Sequence, residues 1–354
     1  MISIGEMNTD GPAPHGSCML LPYVSTWGAR TLVWSDPIVE VHQDVLYVPA
    51  GDGWGLFASD GALIQAGEYR RWSGSTPVGQ HQRTDMDRAA VPFAEGEDWI
   101  YTGPMIAHYG HFLTASLSRL WFLGLADGPR GRLLCHDLSG GGPAYWATLP
   151  HMASVFGALG LNAFSFAALD RPVRLRRVTI PRPCMEEQNF IHRRLGAFCR
   201  AIGGAVTAGQ SLVRNDRPAY LSKSRLKTGI HHFTNEAEVE ERLAAAGVEI
   251  VHPQEMTFTA QAALFAERAV ILGGLGSAFH TAIFAREGGR AVCLSPGSTI
   301  NSNYLLLDQV CERAFTYVHL AEGAPTGEAL GFQSAHILAN ARDAADGLLR
   351  LAGL

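Results

Sequence analysis

The stretch "PAYLSKSRLKTGIHHFTNEAEVEERLAAAGVEIVHPQEMTFTAQAALFAERAVILGGLGSAFHTAIF", residues 218–284, decides the fold. Short apolar runs (PAYLSKS, VEIVHP, VILGG) alternate with segments of helical period (NEAEVEERLAAAG, TAQAALFAERA, SAFHTAIFARE). Asn235 stands where a helix cap belongs, with Glu238 at the reciprocal position and Gly247 as the stop. The pattern continues through AVCLS, NYLLLDQVCERA and TYVHL. A last amphipathic helix is expected over most of Ser334 to Leu351, with Ile337, Leu338, Ala341, Ala345 and Leu348 on its buried face. Strict alternation of this kind predicts an α/β chain with a parallel, doubly wound sheet.

Working back toward the N-terminus, Trp99 to about Leu212 also alternates strands and helices, more loosely. Within it, "HYGHFLTASLSRLW", residues 108–121, opens a helix with two histidines. From about Arg30 to Pro92 the texture is of strands and turns, with Asp60-Gly61 as a hairpin signal. The expected organisation is a β-rich segment over 1–98 belonging to a first domain, α/β structure over 99–210, and a second domain over 211–354.

Composition narrows the function. With 47% hydrophobic and 17% charged residues and a net charge of -5, the chain has ample core material and no Lys/Arg block. A nucleic-acid partner is therefore not expected, because phosphate backbones need concentrated positive charge. The six cysteines form no CxxC pair, which predicts reduced thiols. The opening MISIGEMNTDGPAPHGS has no basic and apolar leader pattern, and no apolar run approaches membrane-span length, so a cytoplasmic location is expected.

Two stretches carry the chemistry. In VILGGLGSAF a strand runs into Gly273, Gly274 and Gly276, then Ser277 and Ala278 at a helix start, where free N–H groups can bind a diphosphate. The spacing is neither the dinucleotide fingerprint, whose third glycine is Phe279 here, nor a Walker loop, nor a nucleophile elbow; a plain tight turn is the alternative. At the end of an earlier strand of the same sheet, Ser222, Lys223 and Arg225 offer hydroxyl and cationic groups at the same edge. Metal readings through His108, His111, Cys135, His136 and Asp137, or through Asp85-Met86-Asp87, lack a familiar ligand spacing. No bound metal or cofactor is expected.

Three pieces together, "YGHFLTASLSRLW", the run from Tyr220 to Phe279 and "IFAREGGRAVCLSP", resemble glycosyltransferase family 61 over about residues 99 to 300. No single motif is specific; the ordered set is. The resemblance implies a GT-B-like fold, two Rossmann-like domains facing a cleft, with the donor held mainly by the C-terminal one. It also implies inverting, metal-independent transfer from a nucleotide-diphosphate sugar to a glycan or lipid-linked glycan, and for bacterial relatives a role in capsule or other surface-polysaccharide assembly with possible peripheral membrane contact. The family histidine falls at His111, the expected base, with His108 and Tyr109 as acceptor contacts and Lys223, Arg225, Ser222, Gly274, Gly276, Ser277 and Ala278 on the donor. A helical wheel puts His111, Ala115 and Ser118 on the face away from the core. The sequence departs from the family pattern at Leu275 (usually histidine), Lys223 (usually arginine) and Ala115 (commonly acidic). With Ala115 in place, the residue that orients His111 must be Ser118 or come from elsewhere. The alternative is a catalytically degenerate nucleotide- or carbohydrate-binding protein of the same fold, and a simple hydrogen-bonded histidine at 111.

Overall fold

Five parallel strands lie side by side in the order Glu249–Val251, Ala219–Leu221, Val270–Gly274, Arg290–Ser295, Ala314–Leu320. Numbered along the chain, this order is 2-1-3-4-5. The alternation of apolar side chains explains why helices cover both faces. Tyr220, Leu272, Val292 and Val318 point to one side, under helices Glu236–Ala245 and Ala341–Ala352; Leu221, Ile271, Cys293 and Tyr317 point to the other, under Phe258–Glu267 and Ser277–Phe284. The expected doubly wound sheet is thus present. Its topological switch lies between Ala219–Leu221 and Val270–Gly274, so a crevice opens where Ser222-Lys223 and the glycine loop leave the sheet. This computed structural model describes residues 20–72, 74–129, 131–226, 231–286, 288–321, 326–330 and 333–354; Cys18 and the opening segment read for a leader lie outside them.

The first lobe is built on a mixed sheet, Gly55–Phe57, Val39–Val48, Val173–Pro181, Asp98–Met105, Arg132–Asp137, Phe166–Ala168. Its first two junctions are antiparallel and the remaining three parallel. The Asp60-Gly61 turn closes a hairpin through the Phe57–Leu63 bridge, as the dipeptide predicts. The other early strands do not join this sheet. Leu20–Pro22 adds antiparallel to Ala314–Leu320 and Ser25–Trp27 pairs with Thr299–Asn301, so this part of the β-rich segment completes the second lobe rather than the first.

Three expected helices take other forms. The segment after His108 is one α-turn (Tyr109–His111), a π-turn (Phe112–Ser116) and a 3-10 turn (Leu117–Arg119). Its small hydroxylated residues explain the irregularity, because they compete for backbone groups. The Thr114 hydroxyl reaches the Gly110 carbonyl (3.0 Å), Ser118 donates to the Ala115 carbonyl (2.8 Å), and Ser116 accepts from the Ile106 N–H (3.0 Å). Ala115 and Ser118 are consequently buried, against the wheel. Ser277–Phe284 is a 3-10 helix. The expected helix over 334–351 splits into a strand, Gln333–His336, which pairs with His231–Phe233, and a helix that starts at Ala341. Ile337 falls in the joint and is 47% exposed, whereas Leu338, Ala341, Ala345 and Leu348 are buried as read. The Asn235 side chain does not cap its helix; it donates to the Leu338 carbonyl (2.9 Å) and accepts from the Leu338 N–H (3.0 Å). Gly247 stops that helix at φ +88°.

The core does not break between the lobes. Phe198 and Ile202 of helix Arg194–Val206 pack in one cluster with Ile283, Phe284, Leu306 and Val310 of the second lobe. Gly203 makes the approach possible: a Cβ there would lie 2.0 Å from the Phe284 carbonyl oxygen. Gly203→Ala should therefore destabilise the protein by about 1–3 kcal/mol, overpacking outweighing the helix-propensity gain of about 0.5–1 kcal/mol. A urea midpoint at or above that of the wild type would contradict this packing.

Candidate active site

A cavity of about 700 Å³ lies between the lobes. Its walls bring together residues far apart in sequence: His108, Tyr109, His111, Ser222, Lys223, Gly274, Gly276, Ser277 and Ala278. Of the expected site residues only Arg225 is missing. It is 60% exposed and paired with Glu255 at 3.0 Å, because the turn after Ser224 carries its side chain outward.

His111 enters on the single α-turn, and its Nδ1–H donates to Glu187 Oε1 at 2.8 Å. Glu187 is 2% exposed and lies just beyond the short strand Met185–Glu186. The Thr114 hydroxyl meets the same oxygen (2.6 Å), and Arg71 Nε donates to Oε2 (3.1 Å). Burial pushes the Glu187 carboxyl up, but the hydrogen bond and charge of His111, with Thr114 and Arg71, hold it below the usual carboxylate range. An ionised carboxylate on Nδ1 fixes the imidazole tautomer and leaves the Nε2 lone pair free to accept a proton. The carboxylate that the sequence lacks at Ala115 is thus supplied from 76 residues away. Ser118, the other candidate orienter, faces the Ala115 carbonyl.

The backbone beside Glu187 is held in an uncommon conformation. Gln188 has φ +58°, a left-handed value that costs a non-glycine residue roughly 1–2 kcal/mol. Its N–H donates to Asn303 Oδ1 of the second lobe (2.6 Å), and its carbonyl accepts from the Ala29 N–H (2.7 Å). Residues 29 and 303 therefore hold the backbone next to Glu187 in place.

On the second lobe, the Gly276 backbone is extended and the Ser277–Phe284 helix begins directly after it. The first N–H with a helical acceptor is that of Phe279, on the Gly276 carbonyl (3.1 Å), so those of Ser277 and Ala278 have none within the helix. Lys223 lies across the loop: its ammonium donates to the Leu275 carbonyl and to the His231 carbonyl (3.2 Å). Its side chain fits because Gly276 lacks a Cβ, which would stand 2.6 Å from Lys223 Cε. In a trans peptide, C=O and N–H point opposite ways, so a lysine on the Leu275 oxygen turns the Gly276 N–H away from itself. Burial pulls the lysine down to about 8, against the pull of Glu236. Glu236 accepts from the Lys223 N–H (3.2 Å) and from the Tyr220 hydroxyl (2.9 Å), bracing the strand end. Ser222 is buried at the cavity wall with its hydroxyl on Ser224 (2.9 Å) and Glu240, which braces the strand end.

One further expectation changes. The Tyr109 hydroxyl is spent on Thr281 of the second lobe and its ring stands edge-on to His151 and Phe258, so it ties the lobes instead of stacking on a sugar. The aromatic on the cavity wall with an open face is Trp27, 52% exposed. His108 lines the cavity with its ring centroid 5.4 Å from that of His111; burial, then the charge of His111, lower its pKa. Sequence reading missed Glu187, Arg71, Trp27, His151 and His280. Burial lowers both His151 and His280 to about 4, so they present neutral imidazoles at neutral pH.

The residues of the metal readings are engaged elsewhere. His136 meets the Tyr101 hydroxyl through Nδ1 (2.8 Å) and the Val48 carbonyl through Nε2 (2.9 Å). Asp137 accepts from the Ser139 and Gly142 N–H groups, and Asp87 from the Ala89 N–H. No group of three or more potential ligands converges among the described residues.

A chain whose cavity is lined by one oriented imidazole and by a glycine-loop helix start also matches a known family. The family model described as glycosyltransferase 61 covers residues 109–293. The chain belongs to that family. The matched region holds His111, Glu187, Lys223 and the whole glycine loop of this glycosyltransferase, while Arg71, Trp27 and Asn303 lie outside it. Comparison with curated proteins gives no match.

Two outcomes are expected. Asn303→Ala should cost about 1–3 kcal/mol by stranding the Gln188 N–H, and adding Gln188→Gly should recover about 1 kcal/mol by removing the left-handed strain. Urea unfolding of the single and double variants checks this, and a double variant no more stable than Asn303→Ala contradicts it. Second, the Lys223 ammonium is lost as pH rises through about 8. The ratio of wild-type to Lys223→Met affinity for inorganic pyrophosphate should fall across that range, a comparison that cancels the titration of the ligand. Calorimetry showing a constant ratio would remove the lysine from anion binding.

Proposed function

We propose that this glycosyltransferase is an inverting, metal-independent enzyme of GT-B-like design, moving a sugar from a nucleotide-diphosphate donor to a glycan or lipid-linked glycan acceptor. One observation carries the reading: the His111–Glu187 pair and the N–H groups of Ser277 and Ala278, which have no acceptor within their helix, line the same cavity.

The donor diphosphate sits at the start of the Ser277–Phe284 helix, where N–H groups and the positive helix end stabilise the charge that grows as the nucleotide leaves. Lys223 shapes that loop and adds its charge. His111 Nε2 takes the proton from the acceptor hydroxyl as the hydroxyl oxygen attacks the anomeric carbon opposite the leaving phosphate, which inverts the centre. Glu187 stabilises the imidazolium that forms. The sugar ring packs on Trp27. The degenerate-protein alternative rested on Ala115; the Glu187 carboxylate on His111 supports the active reading instead.

The same proposal includes a cytoplasmic site of action in surface-polysaccharide assembly, with at most peripheral contact to a membrane. It draws support from the free thiols at Cys135, Cys184, Cys199, Cys293 and Cys311, and no helix among the described residues is long and apolar enough to cross a membrane.

A panel of nucleotide-diphosphate sugars screened by thermal shift identifies the donor, since selective binding raises the melting temperature by mass action. With that donor, His111→Ala should abolish transfer and Glu187→Gln should lower kcat by about 100-fold, both with donor affinity nearly intact. Full activity in His111→Ala would end the base assignment.

A further inference from the structure

The charges on the cavity wall are few. Among its lining residues Glu187 is the carboxylate, and Arg71 and Lys223 are the arginine and lysine side chains. The Lys223 ammonium is taken up by two carbonyl oxygens, and Glu187 is shared by His111, Thr114 and Arg71. Arg71 is different. Its Nε is used on Glu187, but among the described residues its two terminal amino groups have no protein acceptor. The side chain is 39% exposed and on the cavity wall. A guanidinium with one edge anchored and the other open is preorganised for a planar two-oxygen anion.

Position decides which part of the substrate meets that edge. Arg71 and His111 hold opposite oxygens of one carboxylate, so the guanidinium lies beside the base. A ligand whose hydroxyl reaches His111 Nε2 brings its neighbouring substituents to Arg71.

We infer that Arg71 is a binding subsite for an acid group on the acceptor, and that the acceptor is an acidic sugar bearing a carboxylate close to the attacking hydroxyl. This rests on the transferase reading for the word acceptor, but the subsite itself is a matter of binding and is tested without turnover. Wild-type protein, Arg71→Gln and Arg71→Lys are compared by saturation-transfer NMR with D-glucuronate, D-glucose and inorganic pyrophosphate. Glucuronate should give a signal with the wild type that falls at least fivefold in Arg71→Gln and is partly kept in Arg71→Lys. Glucose should bind equally to all three, and pyrophosphate should be unaffected, which also shows that the variants are folded. The inference is overturned if glucuronate does not bind the wild type, or if it binds Arg71→Gln as well. It is overturned equally if pyrophosphate is the ligand lost, since Arg71 would then serve the donor diphosphate. Failure of the transferase reading shows instead as absence of sugar transfer, whatever glucuronate does.

Discussion

A buried carboxylate is the constraint on which this site depends. Removing an ionised group from water costs several kcal/mol unless it is met by charge and hydrogen bonds, and Glu187 is met on both oxygens, by His111 and Thr114 on one and Arg71 on the other. Two partners come from the turn after His108 and the third from a loop some forty residues earlier. The arrangement therefore exists only when the loop bearing Arg71, the turn after His108 and the segment at 187 are all in place. Its aim is set by the left-handed backbone at Gln188, which a second-lobe side chain, Asn303, holds from outside.

The lobes accordingly act as parts of one site. Tyr109 crosses to Thr281, helix Arg194–Val206 packs under Ser277–Phe284 through Gly203, and the imidazole partner is steadied by Asn303. Each link joins the imidazole side to the glycine-loop side. A shift of the Ser277–Phe284 helix would thus be felt at Tyr109, and through its turn at His111.

Much of the second lobe was legible in the sequence because its strands and helices are regular and their apolar periods differ. The glycine loop was legible because glycine and a following helix are local features. Glu187 was not, since nothing within its own stretch, CMEEQNF, distinguishes it from Glu186 and its partner is 76 residues away. Tyr109 and Lys223 were read as ligand contacts because each residue type suits that role, and both line the cavity. Their use as braces follows from contacts with Thr281, Leu275 and His231 that no spacing encodes. The wheel failed after His111 because hydroxyl groups broke the 3.6-residue period on which it relies.

The pairing of Leu20 with Leu320 has a consequence for how the molecule is made. This edge of the second sheet cannot close until residues some three hundred positions apart are both made, so Leu20–Pro22 stays hydrated while the intervening chain is synthesised. Contacts so distant along the chain carry a large loop-closure cost and slow folding. Trp27, in a separate ladder, pairs with Asn301, so this part of the cavity wall too needs a partner made long after it.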